Sequence, residues 1–323
     1  MIGYVVPSSA AAQMAQLLPP DKVLFRVTRE SEEWWVSRHR VPDPPAGVEV
    51  YESEHPFLLV SRAFRKANTV IAVRDAVIGH GGFTIIAGPC SVESPDQMDT
   101  LAAHLSASGV RLMRGGAFKP RTSPYSFQGL GIEGLQLFRQ VADCYGMGVV
   151  SELLDLSLLD TLYPYVDVIQ VGSRNMFNYH LLKELGKVDK PILLKRGMFA
   201  TVEEWLLAAE YILAHGNDQV ILCERGIRSF DPYFRNLIDF NAVALVKQLS
   251  HLPVVIDPSQ GTGRRDIIIP MGRAAHAVGA DGLMVEVHPQ PEQALSDGFQ
   301  SLSLPQFDRL MEAVHAPMAD TSG

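Results

Sequence analysis

The 323-residue sequence has little of several features that mark common protein classes. Its three cysteines, Cys90, Cys144 and Cys223, are odd in number and widely spaced, which predicts no disulfide framework and suits a reducing compartment. No stretch approaches the roughly 20 apolar residues of a membrane span, and the N-terminal residues lack the pattern of a signal peptide. We therefore expect a soluble, cytoplasmic protein with no membrane partner.

Basic residues are also in the minority, with 28 Lys and Arg against 36 Asp and Glu. The formal net charge of −8 argues against a general nucleic-acid binder. No Gly-x-Gly-x-x-Gly pattern follows the first strand of the βα series described below, so a dinucleotide site has no support. The apolar content of 47% is enough for one large domain with a small appendage.

Residues 1–69 have the pattern of a small α+β domain. Four short apolar runs alternate with turn residues, and an Ala/Gln-rich stretch after Ser9 has the composition of a helix. The predicted strands are 2–6, 22–28, 33–37 and 48–51, with a proline-rich breaker at 41–45. Nothing in this part of the chain resembles a catalytic cluster, and a packing role without a ligand is the alternative to a regulatory or assembly role.

The remaining residues, 70–323, show eight β-rich runs separated by helical spacing. The runs are 84–88, 111–114, 148–152, 168–172, 192–196, 220–225, 254–257 and 283–286, and the clearest helical stretches are 98–108, 201–215 and 236–248. Eight βα units predict a (β/α)8 TIM barrel, with a doubly wound open sheet as the competing topology. In a barrel, the active site lies at the carboxyl ends of the strands.

Cations follow several of these strands. Arg114, Lys119 and Arg121 surround the end of the second run, and Arg174, Lys195 and Arg225 follow later ones. So many cations from different strands exceed what one phosphate needs, and they predict a site for two anionic groups. Alternation along the strand should turn Arg196 away, and Arg228 lies farther along its loop. A basic surface loop that binds nothing is the alternative interpretation of residues 114–124.

A second polar group consists of Cys90, Glu286, Asp297 and His288. A thiolate with carboxylates and a histidine is a plausible divalent-metal site of borderline softness, suited to manganese, iron, cobalt or zinc. Taken singly, each residue has a structural explanation: Cys90 as a small buried hydrophobe, Asp297 as a helix cap and His288 as a turn residue. The hypothesis of a metal site therefore depends on these four residues occurring together.

Seven motifs carry a resemblance to the type Iβ branch of the 3-deoxy-D-arabino-heptulosonate 7-phosphate (DAHP) synthases. They are GPCSVE at 88–93, RGGAFKPRTSPYSFQGLG at 114–131, GSRN at 172–175, LKRG at 194–197, CERG at 223–226, EVHP at 286–289 and ALSDG at 294–298. The resemblance covers about residues 70–310. It implies an aldol-type transferase that condenses phosphoenolpyruvate with erythrose 4-phosphate, the entry step of the shikimate pathway to aromatic amino acids.

The resemblance also implies roles for individual residues. Arg114, Lys119, Arg174, Lys195 and Arg225 correspond to the phosphoenolpyruvate site, and Arg121 and Thr122 to the site for the aldose phosphate. Lys119 is the expected proton donor to the aldehyde oxygen. Cys90, Glu286 and Asp297 match three metal ligands, with Cys90 and Asp297 counted as catalytic through a divalent cation, of which Mn²⁺ is the first expectation and Fe²⁺, Co²⁺ or Zn²⁺ the alternatives.

One position departs from the family pattern. Where the family has Asp-Pro-Ser-His, this sequence has Asp257, Pro258, Ser259 and Gln260, so a glutamine replaces the expected fourth metal ligand. Three explanations are open: Gln260 coordinates through its oxygen, His288 or water takes the place, or the activity is altered. We expect coordination by Gln260 or water with activity retained.

Two rival functions follow from the same residues. The related 3-deoxy-D-manno-octulosonate 8-phosphate synthases use arabinose 5-phosphate, but the sequence KPRT at 119–122 favours the four-carbon aldose. A non-catalytic barrel that binds a phosphorylated metabolite is the other rival, supported by Gln260 alone. The N-terminal domain loosely resembles the ferredoxin-like regulatory domain of some type Iβ enzymes, in which Tyr or Phe causes feedback inhibition. The proline-rich segment replaces its second helix, so the sequence gives only weak support to Tyr or Phe as an effector. Because homo-oligomers are common in this family and appended domains often serve assembly, the resemblance also implies a homo-oligomer, a dimer or tetramer.

Overall fold

The N-terminal residues form a four-stranded antiparallel sheet with one helix on it. A computed structural model describes residues 1–29, 31–119 and 123–316 of the chain. The elements of this sheet are β1 (Ile2–Pro7), α1 (Ala11–Leu17), β2 (Val23–Arg29), β3 (Glu32–Ser37) and β4 (Glu49–Glu52). Their order is β2-β3-β1-β4, and Tyr4, Met14 and Trp35 are buried between helix and sheet. The four predicted strands are confirmed, and residues 38–48, all described, contain no second helix.

A two-stranded hairpin, which the sequence analysis did not predict, follows this sheet. It consists of β5 (Ile71–Val73) and β6 (Ala76–Ile78). Its buried side chains Ile71, Val73 and Ile78 belong to the same apolar cluster as Ile86 and Leu112 of the barrel interior. Thr84, the first residue of β7, donates from its hydroxyl to Val77 O of the hairpin at 2.9 Å, so the hairpin covers the amino-terminal end of the barrel and leaves the carboxyl end open.

Eight parallel strands close into a barrel within the described residues, as the sequence predicts. They are β7 (Thr84–Gly88), β8 (Leu112–Arg114), β9 (Gly148–Leu153), β10 (Val168–Val171), β11 (Ile192–Lys195), β12 (Val220–Glu224), β13 (Val254–Ile256) and β14 (Gly282–Glu286). Side chains such as Ile86, Val168 and Met284 fill the interior. Their neighbours Ile85, Ile169 and Val285 point outward into the larger core beneath the helices, because side chains alternate along a strand.

The helices that follow the strands surround the barrel. They are α2 (Pro95–Ala107), α3 (Ile132–Cys144), α4 (Leu159–Leu162), α5 (Tyr179–Leu185), α6 (Val202–Ala214), α7 (Phe240–Leu249), α8 (Pro258–Thr262), α9 (Ile268–Ala277) and α10 (Leu304–His315). Thr201 caps α6 in a capping box with Glu204. Helix α7 begins at Phe240, later than the predicted 236, because Asp239 caps it. No helix of the described residues is long and apolar enough to cross a bilayer.

The segment between β4 and β5 attaches the N-terminal sheet to the barrel. Phe57, Leu58, Leu59 and Val60 are buried in the same core cluster as the barrel helices. Glu210 on α6 accepts hydrogen bonds of 2.8–2.9 Å from the backbone N–H groups of residues 58, 59 and 60. The division into domains near residue 69 remains our proposal.

Candidate active site

A polar cavity of about 410 Å³ lies at the carboxyl ends of the barrel strands. This volume is in the range of small-molecule sites. Among the described residues, its walls carry six cations and two carboxylates. They are Lys119, Arg174, Lys195, Arg225, Arg228 and Arg235, with Glu152 and Asp297. The cavity therefore has a large excess of positive charge in a protein whose formal net charge is −8. Such an excess favours a ligand that carries several negative charges.

Lys195 and Arg225 form the deepest part of the cationic wall. Both are almost fully buried at the ends of β11 and β12. Lys195 Nζ donates to Asp257 Oδ2 at 2.6 Å. Burial alone would raise the pKa of Asp257, but Lys195 and Arg114 outweigh burial and hold it below its usual value. Burial lowers the pKa of Arg225, although the charge of Asp257 opposes this.

Arg114 lies beneath the cavity and is paired with a carboxylate. Its Nη1 donates to Glu286 Oε1 at 2.9 Å, and both side chains are buried. Glu286 of β14 therefore supplies a counter-charge to Arg114. The Nε atoms of Arg114 and Arg225 are buried and have no hydrogen-bond partner among the described residues. Unsatisfied buried donors are costly, and an acidic ligand with several oxygens can satisfy such groups.

Lys119 reaches back from the loop after β8 to the end of β7. Its Nζ donates to Cys90 O at 3.0 Å and lies 3.2 Å from Cys90 Sγ. Gly116 makes room for this path, because a Cβ atom there would lie 2.9 Å from Lys119 Cδ. Gly116 N also donates to Cys90 O, which joins the two loops. The ammonium group is thus placed between the cationic wall and the thiol.

The thiol and two carboxylates form a compact group that can hold a metal ion. One ligand atom each from Cys90, Glu286 and Asp297 lies within 4.8 Å of the others. Burial, followed by the charge of Glu286, raises the pKa of Cys90 to about 11. Asp297 has a left-handed backbone with φ of 51°, which an aspartate tolerates better than most residues. A divalent cation here would neutralise the adjacent carboxylates and favour the thiolate, so the donor set fits a metal of borderline softness.

Gln260 lies between the cationic wall and this three-residue group. Its Oε1 accepts from Arg225 Nη2 at 3.2 Å and from Lys195 Nζ at 3.4 Å. Its Nε2 donates to Glu286 Oε1 at 3.4 Å. Gln300 holds the other oxygen of Glu286, since its Nε2 donates to Glu286 Oε2 at 2.6 Å.

The structure brings together most of the side chains that the sequence singled out. Arg174, Lys195, Arg225, Lys119, Gln260 and Asp297 line the cavity, while Cys90, Arg114 and Glu286 lie beside or beneath it. Arg121 and Thr122 lie outside the described residues. Arg196 points away, as alternation predicts, and is paired with Glu224 and Asp239.

Other site residues differ from the sequence analysis. His288 is turned toward Glu93, and its Nδ1 accepts from Gln290 N, so both ring nitrogens have partners other than the metal group. Arg228, which the sequence analysis set aside, lines the cavity, and Arg235 and Gln300 were not singled out. Arg228 and Arg235 lie on the loop between β12 and α7, and Gln300 lies in a 3-10 turn within the loop between β14 and α10, so no strand alternation indicates their side-chain direction.

Comparison with known proteins identifies close relatives. The model of the DAHP synthetase I family matches residues 63–319. A phospho-2-dehydro-3-deoxyheptonate aldolase of Thermotoga maritima is 53% identical over 83% of this chain and 79% of its own. A crystal structure of that species' phospho-2-dehydro-3-deoxyheptonate aldolase (DAHP synthase) covers 96% of this chain and 95% of its own, with a TM-score of 0.80 and 45% identity. A 2-dehydro-3-deoxyphosphooctonate aldolase of Syntrophotalea carbinolica is 32% identical over 76% of this chain and 94% of its own.

Proposed function

This chain belongs to the DAHP synthetase I family, and we infer that it is a DAHP synthase, which condenses phosphoenolpyruvate with erythrose 4-phosphate to DAHP and phosphate. The reaction opens the shikimate pathway. The observation that carries this conclusion is the cationic cavity beside a thiol–carboxylate group at the carboxyl end of a TIM barrel. The octulosonate alternative is disfavoured, because the relative with that name is 32% identical and the heptonate relative 53%.

Phosphoenolpyruvate is assigned to the deep cationic wall. Its phosphate and carboxylate together match the cations Arg174, Lys195 and Arg225, with Arg114 beneath them. The partnerless Nε atoms of Arg114 and Arg225 support this assignment, because an anion can accept from them. Fixed cations hold the substrate without a solvent reorganisation cost during the reaction.

Erythrose 4-phosphate is assigned to the outer part of the cavity. Arg121 and Thr122 are the proposed ligands of its phosphate, and the neighbouring Ser123 and Ser126 line the cavity, which supports this direction of binding. The two substrates then meet beside Lys119. Holding both in one orientation converts a bimolecular step into a step within the complex.

Lys119 is the proposed proton donor. As C3 of phosphoenolpyruvate forms a bond to the aldehyde carbon, the ammonium group gives a proton to the aldehyde oxygen. Water then adds at C2 and loses a proton that restores the Lys119 ammonium group, and phosphate leaves with cleavage of its C–O bond to C2. This sequence balances the reactants and needs no covalent enzyme intermediate.

Cys90, Glu286 and Asp297 are the proposed metal ligands, and the family's general metal dependence supports them. When bound, a divalent cation polarises the aldehyde carbonyl. We propose Mn²⁺ as the native ion, with Fe²⁺, Co²⁺ or Zn²⁺ as alternatives. We also propose a homo-oligomer, a cytoplasmic location and Tyr or Phe as an effector.

The proposed function is tested by phosphate release from phosphoenolpyruvate with and without erythrose 4-phosphate. We expect release only when both substrates are present, complete loss of release after treatment with a chelator, and recovery on addition of Mn²⁺. Absence of aldose-dependent release under every metal tested would support the non-catalytic barrel. Full turnover in excess chelator would refute the metal role but not the reaction.

A further inference from the structure

Gln260 contacts both halves of the site at once. Its amide oxygen is shared by two cations of the phosphoenolpyruvate wall, Arg225 at 3.2 Å and Lys195 at 3.4 Å. Its amide nitrogen faces Glu286 of the metal group at 3.4 Å. Its backbone is also fixed, because Gln260 N donates to Asp257 Oδ1 at 2.9 Å and Asn236 Nδ2 donates to Gln260 O at 3.0 Å.

The surrounding charges determine which way the amide points. A glutamine amide has one accepting oxygen and one donating nitrogen. If the amide were turned by 180°, its N–H groups would face the donors of Lys195 and Arg225, and its oxygen would face the carboxylate of Glu286. Each of these contacts would be repulsive and would leave buried polar groups unpaired. Two cations on one side and a carboxylate on the other therefore favour one orientation.

In this orientation, the side of Gln260 that faces the metal group carries donors and not a lone pair. An amide can coordinate a metal only through its oxygen. Coordination would require Gln260 to turn and to give up both cations. Glu286, by contrast, is held by three donors, Arg114 and Gln260 on Oε1 and Gln300 on Oε2. Such outer hydrogen bonds orient a ligating carboxylate.

We propose that Gln260 is a positioning residue and not a metal ligand. It holds Lys195 and Arg225 in place for phosphoenolpyruvate and orients Glu286, and the metal is bound by three protein side chains, Cys90, Glu286 and Asp297. This inference rests on the proposed function, because it presumes that phosphoenolpyruvate and a divalent cation bind in this cavity. It replaces the fourth-ligand role that the sequence suggested.

The first test measures phosphoenolpyruvate binding to the metal-free protein by calorimetry in the presence of a chelator. Gln260→Leu has similar volume but neither donor nor acceptor. We expect its dissociation constant for phosphoenolpyruvate to rise about tenfold, because two cations lose their positioning partner. Gln248→Leu, an exposed change on α7, is the matched control and should bind normally. An unchanged constant for Gln260→Leu would overturn the proposal, since a residue that acts only as a metal ligand has no effect without metal.

The second test compares absorption spectra of the cobalt-loaded proteins. The visible bands of Co²⁺ report its coordination number and geometry. We expect Gln260→Leu to retain the wild-type bands, and bands shifted as for the loss of a ligand would overturn the proposal. Gln260→Ala serves in both tests if the leucine variant fails to fold, as judged by circular dichroism.

A Cys90→Ser variant separates this inference from the proposed function. It should lose the near-ultraviolet thiolate-to-cobalt band that the wild-type protein shows. If the wild-type protein shows no such band, the Cys90–Glu286–Asp297 group is not the metal site, and it is the metal role within the proposed function that fails. If the band is present and only the Gln260 expectations fail, the function stands and the positioning role is wrong.

Discussion

Lys119 is the residue on which the proposed chemistry depends most. Its ammonium group lies 3.2 Å from Cys90 Sγ. Among the described residues that line the cavity, Lys119 and Lys195 are the only lysines. Lys195 is already paired with Asp257 at 2.6 Å, whereas within the part of the chain that the structure describes Lys119 contacts a carbonyl oxygen and a thiol. Lys119 is thus the better placed of the two to give up a proton.

We predict that Lys119→Met lowers kcat by roughly 10² to 10⁴, the usual contribution of a general acid. The remaining cations should still hold phosphoenolpyruvate, so its KM should change far less than kcat. Steady-state phosphate release measures both constants. Lys66→Met, a change at an exposed position, is the control and should behave as wild type. A kcat within threefold of wild type would remove Lys119 from the proton transfer.

Strand alternation and the family motifs predicted most site residues from the sequence, including Lys119 and Asp297 on loops, but loop residues outside those motifs could not be predicted. Alternation along β11 correctly separated Lys195 from Arg196, because neighbouring strand residues face opposite sides. The partner of Arg114 is Glu286, from a strand 172 positions away, and no local pattern indicates such a pair. Arg235 and Gln300 reach the site from loops whose paths depend on the whole barrel.

At the scale of elements, one carboxylate adds directed hydrogen bonds to the apolar attachment of the N-terminal sheet. Glu210 on α6 accepts from three consecutive backbone N–H groups of residues 58–60. Burial raises the pKa of Glu210, although these three hydrogen bonds oppose the rise. No local sequence pattern predicts this contact, because it joins residues about 150 positions apart.

We predict that Glu210→Gln destabilises the protein by about 2 to 3 kcal/mol, because one oxygen must replace two and the amide N–H groups then face Val60 N–H. Thermal unfolding at a fixed scan rate should show a lower midpoint. Limited proteolysis should cut residues 53–69 faster. Glu203→Gln, an exposed change on the same helix, should leave both measurements unchanged. Equal midpoints for the two variants would show that the carboxylate is not needed for attachment.

The sequence predicted the strands that alternate with helices, because the change from strand to helix spacing marks where each one ends. All eight barrel strands were located, whereas the β5–β6 hairpin was not. Each of its strands has three residues, and its turn places Arg74 at a φ of 51°, a conformation that arginine rarely adopts. Ion pairs of Arg74 with Asp143 and Asp167 hold this turn, and such tertiary pairs have no sequence signature.

At the scale of the whole molecule, a buried histidine connects the barrel with the segment that leads to it. His251 Nε2 lies 2.7 Å from Leu59 O, and its Nδ1 lies 2.7 Å from Thr69 Oγ1. Burial lowers the pKa of His251 from 6.5 to about 4. Between these two values, the unfolded chain binds a proton that the folded chain does not bind. The free energy of unfolding therefore falls as the pH falls from 6.5 to 4, and His251 makes no pH-dependent contribution above 6.5.

We predict that His251 accounts for a loss of up to roughly 3 kcal/mol over this range. His251→Gln keeps one donor and one acceptor but cannot titrate. The difference in thermal midpoint between wild type and His251→Gln should therefore shrink or reverse from pH 7 to pH 4.5. A difference that stays constant with pH would mean that His251 does not titrate in this way.

The central claim is that this barrel joins phosphoenolpyruvate to a four-carbon aldose phosphate. The most direct measurement is kcat/KM of the Mn²⁺-loaded enzyme for erythrose 4-phosphate and for arabinose 5-phosphate. The rates are measured as release of phosphate from phosphoenolpyruvate. We expect a preference for erythrose 4-phosphate of at least about tenfold. An equal or higher value for arabinose 5-phosphate would contradict it.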